Sequence, residues 1–247
     1  MKKTPLPIRT QWYVKKPLRV RIANSIIRRW THFWAKHSSI SGFGRLAKRL
    51  AYFTAPPYLA GTHLADIARC GYFIAPTATV YHSMLFLGKG VYIADRVIIY
   101  QANYGGIKSA EIVLGDGVRI LRDTILETGQ GGSIKIGNKT WIHPRCQINA
   151  YKSDIIIGIG VDIASNCAFY SYDHGIEAGK LIREQPLTTK GPIIIDDQAW
   201  LGFGVIVLSG VHIGKGAVIG AGSVVTNDIP ENSIACGSPA KVIKTRS

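Results

Sequence analysis

Between Ile193 and Ile243 an aliphatic residue returns at every sixth position. The hexads IDDQAW, LGFGVI, VLSGVH, IGKGAV, IGAGSV and VTNDIP set Ile195, Leu201, Val207, Ile213, Ile219 and Val225 in phase. A small or acidic residue follows at Asp196, Gly202, Gly214 and Gly220. A helix requires apolar residues every 3.6 positions, whereas a strand alternates with period 2. Six is a multiple of 2 and not of 3.6, so the pattern predicts short strands that turn a corner after each hexad. Glycine takes such corners without steric cost. Three sides close one coil of a parallel β-helix, and each coil shields the apolar interior of the next.

The same beat, less regular, runs back through residues 155–169, 134–143, 113–120, 86–95 and 74–79. It predicts an all-β solenoid of about seven coils, on the order of 30 Å tall at about 4.8 Å per coil. Four stretches break it: Tyr100 to Glu111, Glu127 to Gly132, Ala150 to Asp154 and, longest, Tyr170 to Pro192. In a solenoid such insertions leave the coils as loops, often on the binding face.

Charge divides the chain. Of its 30 Lys and Arg, 13 fall in residues 1–50, which hold no Asp or Glu, and the first acid is Asp66. The division drawn is a basic, mostly helical extension over 1–70 that caps the solenoid, and a β-helix domain over 71–247. Within the head, Ile22, Ala23, Ile26, Ile27, Trp30, Phe33 and Trp34 share a helical stripe. A second helix over Phe43 to Phe53 is expected to turn Leu46, Ala47 and Leu50 inward, with Arg45, Lys48 and Arg49 outward. Pro56–Pro57 ends it, and a third helix is expected over His63 to Cys70. Three readings fit the head: a cover for the apolar first coil, attachment of residues 19–53 to an anionic membrane surface, and nucleic-acid binding. No recognised motif supports the third, so no nucleic-acid partner is expected.

Cys70, Cys146, Cys167 and Cys236 form no C-x-x-C pair, and the last three are expected as buried thiols of a reducing compartment. No signal-peptide pattern or 18-residue apolar run occurs, which points to a cytoplasmic protein, at most peripheral on the inner face of the membrane.

Histidine is the natural general base near neutral pH. His32, His37 and His63 lie in the head, His82 in an early coil, His143 inside a repeat, and His212 at an outward or corner position. His174 differs: it stands where a coil gives way to the longest insertion, between Asp173 and Gly175, a rigid setting suited to catalysis. Trp200, at a corner of its hexad, reads either as edge packing or as a platform beside a cofactor. Lys241, Lys244 and Arg246 form a small basic patch suited to phosphate, or an ordinary solvated terminus.

The block WLGFGVIVLSGVHIGKGAVIGAGSVVTNDIPENSIACGSPAKVI at 200–243 resembles the C-terminal signature of the hexapeptide-repeat acyltransferases. Its pattern is that of sugar and polysaccharide O-acetyltransferases of the maltose and galactoside acetyltransferase type. The likeness covers about residues 72–245. It implies a left-handed parallel β-helix, an exception to the right-handed crossover rule. It also implies a homotrimer with active sites between subunits, acetyl-CoA as donor, no metal, and a glycan or lipid-linked glycan as acceptor. By position it assigns the base to His174, with Asp173 beside it and an acceptor-holding role to Asn166. Trp200 and Gly202 would line the pantetheine arm, and Ala221, Thr226 and Lys241 its lower part, the adenine and the phosphates. Tyr172–Asp173 before His174 and Gly175 after it depart from the small sugar enzymes, so the acceptor pocket is expected to be this chain's own. The alternatives are N-acetylation of an aminosugar or other amine, and a γ-type carbonic anhydrase. The latter shares the fold, but His143, His174 and His212 lack its close paired spacing.

Overall fold

Among the described residues, the first twenty short strands wind three to a coil, so every third strand joins the same sheet. A computed structural model describes residues 18–39, 42–53, 62–102 and 110–246, with 18–24 described by backbone alone. The first face begins at Tyr72–Ile74 and stacks through Trp141–Ile142, Asp162–Ile163, Trp200–Leu201 and Val218–Ile219. The second runs from Thr79–Tyr81 through Gln147–Tyr151 and Ala168–Tyr170 to Val224–Val225. The third runs from Leu85–Leu87 through Ile155–Ile157 and Ile193–Ile195 to His212–Ile213. Pairing within the coils is parallel, and the seven-stranded second face counts seven coils, as the hexads predict. The architecture is consistent with a left-handed β-helix. At its foot Ser233–Gly237 and Ala240–Thr245 close the first face as an antiparallel pair.

The register explains the core. Ile120, Ile142, Ile163, Leu201 and Ile219 stand in one column of the first face, each fully buried. Leu126, Ile148, Phe169, Val207 and Val225 form the equivalent column of the second. A parallel sheet makes like residues neighbours, so a six-residue period becomes a continuous apolar rod.

Corners need left-handed backbone. Where the first face turns into the second, the positive φ falls on Arg96, Asp123, Arg145 and Asn166, then on Gly204 and Gly222. The four non-glycine residues are knitted in pairs. Arg96 donates to Asp123 at 2.6 Å, and Arg145 Nε donates to Asn166 Oδ1 at 2.8 Å. The Arg96 guanidinium holds the Asp123 carboxyl below the usual range.

Three helices precede the coils: α1 (Leu18–Lys36), α2 (Phe43–Phe53) and α3 (His63–Ile67). Ala35, Ala51, Leu64 and Ala65 share one buried cluster with Phe73 and Tyr92 of the first two coils. Tyr52 of α2 stacks on Phe73 at 6.1 Å, Phe73 stacks on Tyr92 at 6.1 Å, and the Tyr52 hydroxyl donates to Asp95. Burial and that bond raise the Tyr52 pKa well above the ordinary phenol value.

Three expectations are corrected. Leu46 faces outward at 52% exposure, because the small residues Gly44, Ala47 and Ala51 occupy the contact side of α2. The third helix stops at Ile67, where Ala68 turns extended to feed the first strand. Cys146 and Cys167 are buried, but Cys236 is exposed, since its strand pairs with the closing strand and no further coil covers it. Pro56–Pro57 and most of the Tyr100–Glu111 insertion lie outside the described residues.

Phe169 fills the centre of the fifth coil with no exposure. Phe169→Ala is expected to cost about 3–5 kcal/mol, read as a lowered midpoint in thermal or denaturant unfolding.

Candidate active site

All four interruptions of the repeat leave the prism at one corner, between the second and third faces. Pairing on the faces fixes where each strand must start, so surplus residues can leave only at corners, and among the described strands all four lapses fall at this one. The strands Ile98–Ala102, Ile125–Gly129 and Gln147–Tyr151 run on toward this corner in register. They set Tyr100, Glu127, Asn149 and Tyr170 in one outward column. Tyr170 Oη donates to Gln147 Oε1 at 2.6 Å, and the Tyr172 ring lies 5.3 Å from Tyr151 and 6.0 Å from Tyr170. Burial, then the charge of Glu127, raises the Tyr172 pKa. Asn149 is only 7% exposed, and its Oδ1 is buried without a hydrogen-bond partner. A buried acceptor left unpaired costs about 1–3 kcal/mol.

The insertion at 171–192 is pinned at its base. Asp173 and Thr188 exchange backbone bonds of 2.8 Å, and Gly175 N donates to Pro186 O at 3.2 Å. Ser209 Oγ, from the next coil, donates to Asp173 Oδ2 at 2.7 Å. Ser171 Oγ is buried and donates to Ser153 O at 2.7 Å, tying the stem to the coil above. A Cβ on residue 175 would meet Gln185 Cβ at 2.8 Å, which accounts for the glycine there. Gln185, buried, then holds the loop together through Glu177 and Lys180. His174 therefore sits on a fixed peptide between two anchored neighbours, with its ring exposed and no hydrogen bond to it among the described residues. Asp173 is committed to Ser209 and holds the peptide that carries the imidazole.

The expected cofactor residues gather along a different edge. A Cβ at Gly202 would lie 2.7 Å from Ala221 N, and one at Gly220 would lie 2.8 Å from Cys236 Cβ. Cys236 in turn pairs with Lys241. Gly202, Ala221 and Lys241 thus follow one line down the corner between the first and second faces. Trp200 stands beside it at 49% exposure on the first face. Asn166 lies on the same corner, one coil higher, with its Oδ1 taken by Arg145. Thr226 is not on this line. It follows Val224–Val225 at the His174 corner, two coils lower, and its hydroxyl donates to Asn227. Within one chain, His174 and Gly202 are separated by the width of the second face, about 15–20 Å for five or six extended residues.

One group was missed. His143 Nε2 lies 3.1 Å from Asp162 Oδ1, on the same corner as Gly202. It borders a cavity of about 280 Å³ with Tyr92, Asp95, Leu121, Arg122 and Pro144. The signal was present: Ile142–His143 occupies the place where Leu201–Gly202 and Ile219–Gly220 carry glycine, so an imidazole fills a small-residue slot. The other coil histidines are engaged: His82 Nε2 bonds Thr128 at 2.8 Å, and His212 Nε2 bonds Asp196 at 2.8 Å. Among the described residues, no group of three or more His, Cys, Asp or Glu side chains gathers at metal-binding range.

Comparison with known proteins agrees with this architecture. Residues 192–227 match the family described as bacterial transferase hexapeptide (six repeats). A probable acetyltransferase of Mycobacterium tuberculosis is 36% identical over 168 residues, covering 68% of this chain and 52% of its own. A putative acetyltransferase of Saccharomyces cerevisiae is 41% identical over 114 residues, or 46% of this chain and 57% of its own. The chain thus spans about half the length of the curated relatives it matches. Among solved structures, a variant of AntD, an N-acyltransferase from Bacillus cereus crystallised with dTDP and coenzyme A, superposes with a TM-score of 0.57. It is 23% identical and covers 68% of this chain and 92% of that one, a likeness of fold. The repeat at residues 192–227 is that of the bacterial hexapeptide transferases, and the coils built on it carry the same pattern back through the chain.

Proposed function

We propose that this chain is an O-acetyltransferase that moves the acetyl group of acetyl-CoA to a hydroxyl of a sugar or polysaccharide precursor. The observation that carries the reading is His174: an unengaged imidazole on a pinned peptide, two residues after Tyr172, whose ring meets Tyr151 and Tyr170. Relatives named acetyltransferases support the donor. The tyrosine faces and the polar groups of Glu127, Gln147 and Asn149 suit a sugar, whose carbon–hydrogen faces stack on rings while its hydroxyls take hydrogen bonds.

In this reading His174 removes the proton of the acceptor hydroxyl as its oxygen attacks the thioester carbonyl. The carbon–sulfur bond then breaks, and the same proton passes to the departing CoA thiolate. Backbone N–H groups at the Gly202 edge stabilise the oxyanion. Asn166 holds the acceptor through its amide nitrogen, since Arg145 occupies its carbonyl. Trp200, Gly202, Ala221 and Lys241 take the extended donor along their edge, with Thr226 contributed from the His174 corner. Because base and donor edge lie on opposite sides of one face, the site needs a second copy. A homotrimer lets His174 of one chain meet the Gly202 edge of its neighbour.

The test is release of CoA thiol from acetyl-CoA against free sugars, aminosugars and lipid-linked oligosaccharides. Turnover of amines alone would overturn O-acetylation. His174→Ala is expected to lower kcat by about 10²–10⁴-fold with the assembly intact by light scattering; near-normal transfer would remove His174 from the role. Trp200→Ala is expected to raise KM for acetyl-CoA about tenfold with kcat little changed, because it removes an apolar contact made equally in ground and transition states. An unchanged KM would send the donor elsewhere.

A further inference from the structure

The head reverses the usual allocation of side chains. On α2 the residues turned inward are small, Gly44, Ala47 and Ala51, and among the described side chains of α1 the buried apolar residue is Ala35. The large apolar residues face out. Ile26, Trp30, Phe33, Phe43, Leu46 and Phe53 are each 44–87% exposed. On α1 residues 26, 30 and 33 share one helical stripe, and on α2 residues 43, 46 and 53 share another. The two stripes adjoin: Trp30 Nε1 donates to Leu50 O at 3.0 Å, and Trp34 meets Trp30 at 5.6 Å and Phe43 at 6.0 Å. Covering the first coil uses Ala35, Ala51 and Tyr52 and leaves this aromatic surface unspent.

Cations flank the surface. Arg28, Arg29, His32 and Lys36 line a shallow groove along α1 with Phe33, and Arg45 and Arg49 are exposed on α2. No carboxylate precedes Asp66 in the chain, and Asp66 of α3 pairs with Arg119, so α1 and α2 carry no carboxylate of their own. No helix among the described residues is long and apolar enough to cross a membrane. An apolar aromatic face bordered by Arg and Lys, with no acidic group, is the composition that lies in the plane of an anionic bilayer.

We propose that the α1–α2 face docks on an anionic membrane surface. Trp30, Phe33, Phe43, Leu46 and Phe53 enter the boundary between headgroups and acyl chains, and Arg28, Arg29 and Lys36 take lipid phosphates. Neither acetyl transfer nor the assignment of His174 is needed for this inference.

The test is flotation of the full chain with vesicles of phosphatidylglycerol and phosphatidylcholine, compared with phosphatidylcholine alone. Binding to the anionic vesicles is expected, weakened by salt and accompanied by a blue shift of tryptophan emission. Phe33→Ser with Phe53→Ser should weaken it at least about tenfold, as should Arg28→Glu with Arg29→Glu. All four positions are exposed, so circular dichroism and thiol release should stay unchanged. No binding to anionic vesicles, or binding that ignores both double variants, would overturn the proposal. So would a change of assembly size in the Phe33/Phe53 variant, which would assign the face to a second copy, or tighter binding to RNA than to vesicles.

Discussion

Everything in this molecule follows from the requirement that each coil's backbone hydrogen-bond the next in register. Parallel strands stacked at about 4.8 Å leave no freedom to slide, because a shift of one residue would turn the whole apolar column out to solvent. The constraint makes the interior a set of columns, Ile142 on Ile163 on Leu201 on Ile219. It confines surplus chain to the corners, and all four interruptions leave at the one between the second and third faces. His174 is carried there, on the longest of the insertions.

This constraint also separates the two halves of the proposed site. His174 is borne by an insertion on one corner, while Gly202 and Ala221 pack coil against coil on another, so closely that a methyl group at residue 202 would strike the Ala221 backbone. Neither can move toward the other without unpairing the second face. In the proposed mechanism, assembly of two copies is the way to bring them together.

The C-terminal coils were legible because their hexads are nearly unbroken and their corners carry Gly204, Gly210, Gly216 and Gly222, all with positive φ. The earlier coils were harder to read. There several left-handed corners fall on Arg96, Lys139 and Arg145, residue types that carry no turn signal of their own, and Arg96 and Arg145 are held by side-chain bonds between coils. Sequence showed where the beat lapsed, but not that every lapse shared a corner, which only the register reveals. Leu46 was misplaced because periodicity cannot say which of two neutral stripes, Ala47–Ala51 or Leu46–Phe53, a helix buries. His143 was passed over because its neighbours read as ordinary repeat, and its pairing with Asp162 spans adjacent coils.

The closure of the 171–192 insertion by the paired backbones of Asp173 and Thr188 has an evolutionary consequence. Because the segment leaves and rejoins the prism through one short ladder, its tip can be exchanged, lengthened or trimmed without disturbing a single core column. The fold thus separates a rigid stack of coils from an appendage that can change without it.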